Sequence, residues 1–244
     1  MDSKPEVGIL LLESTYMELP GGMGRADTYR FAARRQSVAG AQTSVVVSER
    51  FATLTDNYVT AAQELAESDV RMIGANCGFS VAFQDAVAGA TGLPTMMSSL
   101  LMVPLISRIF NGRVGILTFD ADSIDSDRRQ AAGWPEGLDV PIRDVTWSDA
   151  WMAMRSTTRP ALDYPLMRAD VLKIVHELRE DEGVEAIIIE CTAMLPFEDD
   201  MRQASGCVVF GVTSFLHYLY AQFPALPESV SAGAGAPGGI RNDR

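Results

Sequence analysis

The chain reads as an α/β protein with parallel sheets, built from two similar halves. Three observations predict this. Apolar runs of strand length, at Val7–Leu12, Val70–Ala75, Val114–Leu117 and Ala186–Glu190, alternate with segments of helical length. Arg113-Val-Gly-Ile-Leu117 echoes Glu6-Val-Gly-Ile-Leu10. One offset also links later landmarks: Cys191 lies 114 positions after Cys77, as do Val184 after Val70, Ile187 after Ile73 and Gly206 after Gly92. The Val-Gly-Ile-Leu pair is 107 apart, so the halves differ in loop length.

In chain order, Val7–Leu12 is the first strand, followed by the loop Pro20-Gly21-Gly22-Met23-Gly24. Thr43–Ser48, rich in β-branched residues, reads as the second strand, and Thr60–Glu67 lies on a helix. Val70–Ala75 is a third strand ending at Asn76-Cys77-Gly78. Phe79–Ala90 is helical, Pro94–Met97 a short strand and Ser98–Ile109 a helix. The pattern then restarts with a strand at Arg113–Leu117, a helix at about 121–132 and a Trp- and Pro-containing stretch to Val145. Tyr164–Arg179 is helical, Ala186–Glu190 is a strand ending at Cys191-Thr192, and Val208–Gly211 leads into a helix over Ser214–Gln222. The Gly/Pro-rich segment 227–244 reads as a flexible tail.

Composition excludes several classes. Twenty Lys+Arg against 32 Asp+Glu leave a net charge of −12, without the basic footprint that nucleic-acid binding needs. No run approaches the ~18 apolar residues of a membrane span. The first residues lack a basic n-region followed by an apolar stretch, so a cytoplasmic protein is expected. Three cysteines, two histidines and no CxxC point to free thiols and away from a structural zinc site.

The chemistry centres on two cysteines. In parallel α/β sheets, ligands bind beyond the carboxyl ends of the strands, where Cys77 and Cys191 both fall. A thiol there meets unsatisfied helix N–H groups, which favour the thiolate. Matching strand ends in two similar halves would face one interlobe cleft, so the pair reads as catalytic rather than as buried hydrophobes. Cys207 begins a strand at the opposite sheet edge and serves as the internal control.

The segments Gly74-Ala-Asn-Cys-Gly-Phe-Ser80, Pro94-Thr-Met-Met-Ser-Ser99, Val114-Gly-Ile-Leu-Thr118 and Glu190-Cys-Thr-Ala-Met194 resemble the aspartate/glutamate/hydantoin racemase superfamily over about residues 6–223. The closest likeness is to its less characterised branch, in which a Pro-Gly loop, here Pro20-Gly21-Gly22, follows the first strand. The resemblance implies two pseudosymmetric Rossmann-like lobes with parallel four-stranded sheets. It places residues 1–111 plus about 207–226 in the lobe carrying Cys77, and 112–206 in the lobe carrying Cys191. It implies no metal, PLP or nucleotide, a small carboxylate substrate, and a homo-oligomer by likeness alone.

In the superfamily's racemases, one thiolate removes the proton α to a carboxylate (or hydantoin carbonyl) and the other thiol protonates the opposite face. By motif these are Cys77 and Cys191, with no direction assigned. The carboxylate or enediolate would be held by backbone N–H groups and short hydroxyls at Asn76, Gly78, Phe79, Ser99, Thr118 and Thr192. The expected activity is thus a cofactor-independent racemase or isomerase. The same thiols also serve lyases of this superfamily, by β-elimination (as in dimethylsulfoniopropionate cleavage) or by decarboxylation, for which one cysteine suffices. A non-catalytic ligand-binding module is the third reading.

Departures from the pattern temper the racemase reading. Thr192-Ala193-Met194 replace the histidine that glutamate racemases carry soon after the second cysteine. The usual acidic helper is missing; Glu13 and Glu190 could substitute, although a Glu after an apolar strand is more often a solvated edge residue. His217, among apolar neighbours on the last helix, reads mainly as structural. Met96, Met97, Met102, Met194, Phe79 and Phe197 read as either an apolar pocket wall or ordinary core.

Overall fold

The computed structural model describes residues 7–13, 19–48, 50–156 and 161–224. Its architecture is two four-stranded parallel sheets of identical order. The first comprises β1 (Val7–Leu11), β2 (Ala33–Ser37), β3 (Met72–Ala75) and β4 (Thr95–Met96), ordered β2-β1-β3-β4. The second comprises β5 (Val114–Leu117), β6 (Ile142–Arg143), β7 (Ala186–Ile189) and β8 (Val208–Phe210), ordered β6-β5-β7-β8. The central strands β3, β5 and β7 are buried throughout and β1 nearly so, as their apolar runs require. The register repeats as well: Val7 pairs with Met72, and Val114 with Ala186. The expected tail at 227–244 lies outside the described residues.

One strand expectation is corrected. Thr43–Ser48 is not the second strand: it forms the short helix α1 (Thr43–Val46) and a turn, whose N–H groups from Val45 and Val46 reach the Gln42 carbonyl. The strand is Ala33–Ser37, an Ala-Arg-Arg-Gln-Ser edge that is half-buried to exposed. An edge strand needs only one paired side and can keep charges outward, so it carries no apolar run to read. β6 is a second such edge, two residues within the stretch before Val145.

The helices follow the duplication. Here α2 (Thr55–Ala66) covers the first sheet, followed by α3 (Gln84–Thr91) and α4 (Val103–Ile109). Beyond β5 come α5 (Ser126–Ala131), α6 (Asp149–Met152), α7 (Tyr164–Glu180), α8 (Glu198–Ser205) and α9 (Val212–Gln222). The repeated Val-Gly-Ile-Leu motif has a packing cause. A Cβ on Gly8 would come within 2.9 Å of Leu65 on α2, and one on Gly115 within 2.9 Å of Leu178 on α7. Each glycine lets a helix settle directly on its central strand. The 114-residue offset reproduces β3 in β7, α3 in α8 and their left-handed caps, Gly92 (φ 65°) and Gly206 (φ 67°).

The halves also exchange their last helices. The 3₁₀ turn Ser99–Met102, which leads into α4, reaches the second sheet: the Ser99 hydroxyl donates to the Ile189 carbonyl at 2.6 Å. Trp134 Nε1 donates to the Leu100 carbonyl, and Phe110 meets Phe210 edge-on. In return, Leu216 of α9 packs at Gly74, Tyr220 on Phe31, and Phe223 under Arg71. The segment expected in the first lobe from about 207 therefore divides. β8 pairs with β7 in the second sheet, and α9 crosses to the first.

Candidate active site

β3 and β7 each end in a polar residue, a cysteine and a 3₁₀ turn. Cys77 precedes the turn Gly78–Phe83, and Cys191 precedes Thr192–Phe197. Both are half-buried and open on one cavity of about 60 Å³ between the sheets. Asn76, Gly78 and Phe79 line it from the first half, and Phe119, Glu190, Thr192 and Ala193 from the second. Leu12, Thr43, Val47, Met154 and Arg155 complete the wall. Cys207 is elsewhere, buried with its sulfur on the Val184 carbonyl.

The turns do aim N–H groups at the thiols, those of Phe79 and Ser80 at Cys77 and those of Ala193 and Met194 at Cys191. The expected bias toward thiolate is nevertheless outweighed. Burial, and then the nearby Glu190 charge, push the Cys77 thiol up to about 12. The same two causes, with Cys77 itself a lesser one, hold Cys191 well above the ordinary thiol range. Both shifts favour the neutral thiol over the thiolate.

Of the expected binding residues, four line the cavity and two stand behind it. Asn76 accepts the Leu12 N–H at 2.8 Å through its side chain, and its carbonyl accepts the Thr192 hydroxyl. Gly78 is pressed against Glu190; a Cβ there would lie 2.8 Å from Glu190 Cδ. Ser99 is fully buried and spent on Ile189. Thr118, also fully buried, donates to Glu190 Oε2 at 2.6 Å. Among the methionines and phenylalanines weighed as pocket wall, Phe79 lines the cavity; Met96, Met97, Met102, Met194 and Phe197 are core. His217 lies off the cavity, accepting the Arg30 N–H at 3.4 Å beside Phe31.

Three residues that sequence reasoning undervalued or missed shape the site. Glu190 is no solvated edge residue. It is 1% exposed, and burial raises its carboxyl to about 7 against the pull of Thr118, the Phe119 N–H and Arg128. Glu13 is exposed. Arg128 is buried between the halves, paired with Asp125 at 2.5 Å, donating to the Val46 carbonyl at 2.6 Å and lying over the Phe51 and Phe79 rings. Arg155 brings a cation to the wall and has no hydrogen bond or ion pair among the described residues. The signal for Glu190 was present, since it stands 114 positions after Asn76. Nothing local marks Arg128 or Arg155, because their place depends on loops from both halves.

Comparisons with known proteins agree with this architecture. No protein-family profile matches the chain. The fold is similar to that of a Gly-to-Cys variant of arylmalonate decarboxylase in its sulfate-associated form, with a TM-score of 0.59 and 17% identity over 96% of this chain and 97% of that one. It is also similar to glutamate racemase from Francisella tularensis in complex with D-glutamate, with a TM-score of 0.53 and 13% identity over 89% and 81%. The chain has the two-lobed fold of the Asp/Glu racemase superfamily. In sequence it is 26% identical over 216 residues to a dimethylsulfoniopropionate lyase of Durusdinium sp. clade D, covering 84% of this chain and 70% of that protein. It is 25% identical over 184 residues to dimethylsulfoniopropionate lyase 5 of Emiliania huxleyi, of which it spans 35%. Among the described residues no helix is long and apolar enough to cross a membrane.

Proposed function

We propose that this chain is a lyase that eliminates a β-leaving group from a small carboxylate, with dimethylsulfoniopropionate as the leading candidate. The observation that carries this reading is the opening of Cys77 and Cys191, at equivalent strand ends, onto one small cavity. The named sequence relatives favour elimination over the racemisation first expected. In the proposed reaction, one cysteine as thiolate takes the α-proton. The C–H electron pair becomes the C=C bond, and the pair of the breaking C–S bond leaves with sulfur as neutral dimethyl sulfide. Acrylate remains.

The enediolate character that develops at the carboxylate would be met by the N–H groups of the turns at Gly78–Phe79 and Thr192–Ala193. Asn76 and Thr192 hold those turns against each other, and Arg155 supplies an anion partner at the wall. Ser99 and Thr118 serve from behind, by fixing Ile189 and Glu190.

Incubating the purified chain with dimethylsulfoniopropionate in D₂O tests this. Dimethyl sulfide and acrylate should appear in equal amounts, and both should vanish with at least one of Cys77→Ser and Cys191→Ser, the one that removes the base. Racemisation of a chiral carboxylate is the second reading, favoured by the presence of two thiols where elimination needs one base. It would show as α-deuterium in recovered substrate with no sulfide released, and that result would remove the lyase.

A further inference from the structure

The elimination just described leaves the Glu190 carboxyl unused. Its Oε2 accepts the Thr118 hydroxyl at 2.6 Å. Glu190 lines the cavity, and its Oε1 is buried against Gly78 with no hydrogen-bond partner among the described residues. Nor does a cation neutralise it directly, for Arg128 is committed to Asp125 and to the Val46 carbonyl. A buried carboxylate without a direct ion pair is costly, so such a group stands ready for a cation from outside.

The surroundings specify which kind. Phe79 and Phe119 line the same cavity, with Leu12, Val47 and Met154. Aromatic rings attract cations, and an apolar wall suits methyl groups better than a hydrated metal ion or a primary ammonium, each of which demands several acceptors. We infer, resting on the lyase reading, that Glu190 with Phe79 and Phe119 forms a seat for a methylated onium group, sulfonium or quaternary ammonium, on the substrate. The pseudo-equivalent position in the first half is the neutral Asn76, so only one side of the cavity is anionic. The onium therefore turns toward Glu190, leaving the substrate carboxylate to the turn N–H groups and Arg155.

Two consequences follow from the charges. The groups acting on Glu190 or feeling its charge are Cys77, Cys191, Arg128 and Asp120. A cation seated at Glu190 offsets the second of the two causes that raise both thiols, and burial, the larger, remains. As the C–S bond breaks, the sulfonium becomes a neutral sulfide and the ion pair disappears. An interaction present in the ground state and lost along the reaction lowers KM and kcat together and leaves kcat/KM little changed.

The test is calorimetric titration of the full chain with 3-(trimethylammonio)propanoate and with its carbon isostere, 4,4-dimethylpentanoate, whose head is an uncharged tert-butyl group. The unaltered protein should bind the cationic ligand at least about 30-fold more tightly, as a desolvated charge pair implies. In Glu190→Gln, which keeps an acceptor for Thr118, the preference should collapse to within about threefold while the carbon isostere binds no more weakly than before. Equal binding of the two by the unaltered protein overturns the seat without any variant, as does failure to bind either, or a preference that survives Glu190→Gln. Sulfide release measured in parallel separates this from the lyase reading. Turnover without the preference removes the seat alone; the preference without turnover removes the lyase alone.

Discussion

The strand ends that meet at the cavity are the same structure with different polar groups. In the first half, Asn76-Cys77-Gly78 follows β3; in the second, Glu190-Cys191-Thr192 follows β7. Asn76 takes the N–H of Leu12 beyond β1, and Glu190 takes that of Phe119 beyond β5, the equivalent donor. Thr192 reaches across to the Asn76 carbonyl, whereas Gly78, its counterpart, leaves room for the Glu190 side chain. Duplication thus supplies two like thiols, and single substitutions beside them make one side neutral and the other acidic. A symmetric scaffold has become a site with a direction.

The first way to break this comparison is through the sulfurs. Whichever of Cys77→Ser and Cys191→Ser removes the base should lower turnover about a thousandfold, within the range for loss of a general acid or base. Cys207→Ser, at the buried position outside the cavity, should leave sulfide release within about twofold. Equal rates in all three variants would remove the thiols from the chemistry.

The next test exploits the one acidic side. Glu190 is raised to about 7 in the folded chain from the ordinary 4.5. The folded state therefore holds its proton more firmly, and stability is lost as pH rises from about 4.5 through 7. Glu190→Gln should be more stable than the unaltered chain by up to about 3 kcal/mol at pH 8, and nearly equal to it at pH 4.5. Urea unfolding at both values reads this. The matched change Asn76→Gln has no such pH dependence.

Sterics give a smaller effect. Gly78→Ala places a methyl against the Glu190 carboxyl and carbonyl and should cost about 1–3 kcal/mol, whereas Thr192→Ala, at the equivalent position, loses only a hydrogen bond of about 1 kcal/mol. Smallest of all, Ser99→Ala leaves the Ile189 carbonyl without its donor, a cost of about 1 kcal/mol seen as a lowered urea midpoint.

Much of this was legible before folding. The buried central strands announce themselves because strands covered on both faces must be apolar throughout. The 114-residue offset appears in the structure as β3–α3 and β7–α8. The edges were not legible. Ala33–Ser37 and Ile142–Arg143 pair on one side only and need no pattern, while the valines of Thr43–Val47 look like a strand yet turn as a helix onto the cavity. The thiol chemistry was read with the wrong balance, because helix N–H donors can be counted along a chain whereas the burial that overrides them cannot.

The sequence by itself therefore determined the α/β class, the duplication and the two cysteines at matching strand ends, all of which depend on local periodicity and spacing. Only the tertiary structure decided that α4 and α9 exchange between the halves, that Arg128 is walled in between them, and that Glu190 is a buried carboxyl rather than a solvated edge. Each of these depends on what surrounds a residue from the other half, and desolvation is a property of the assembled volume that no stretch of chain carries alone.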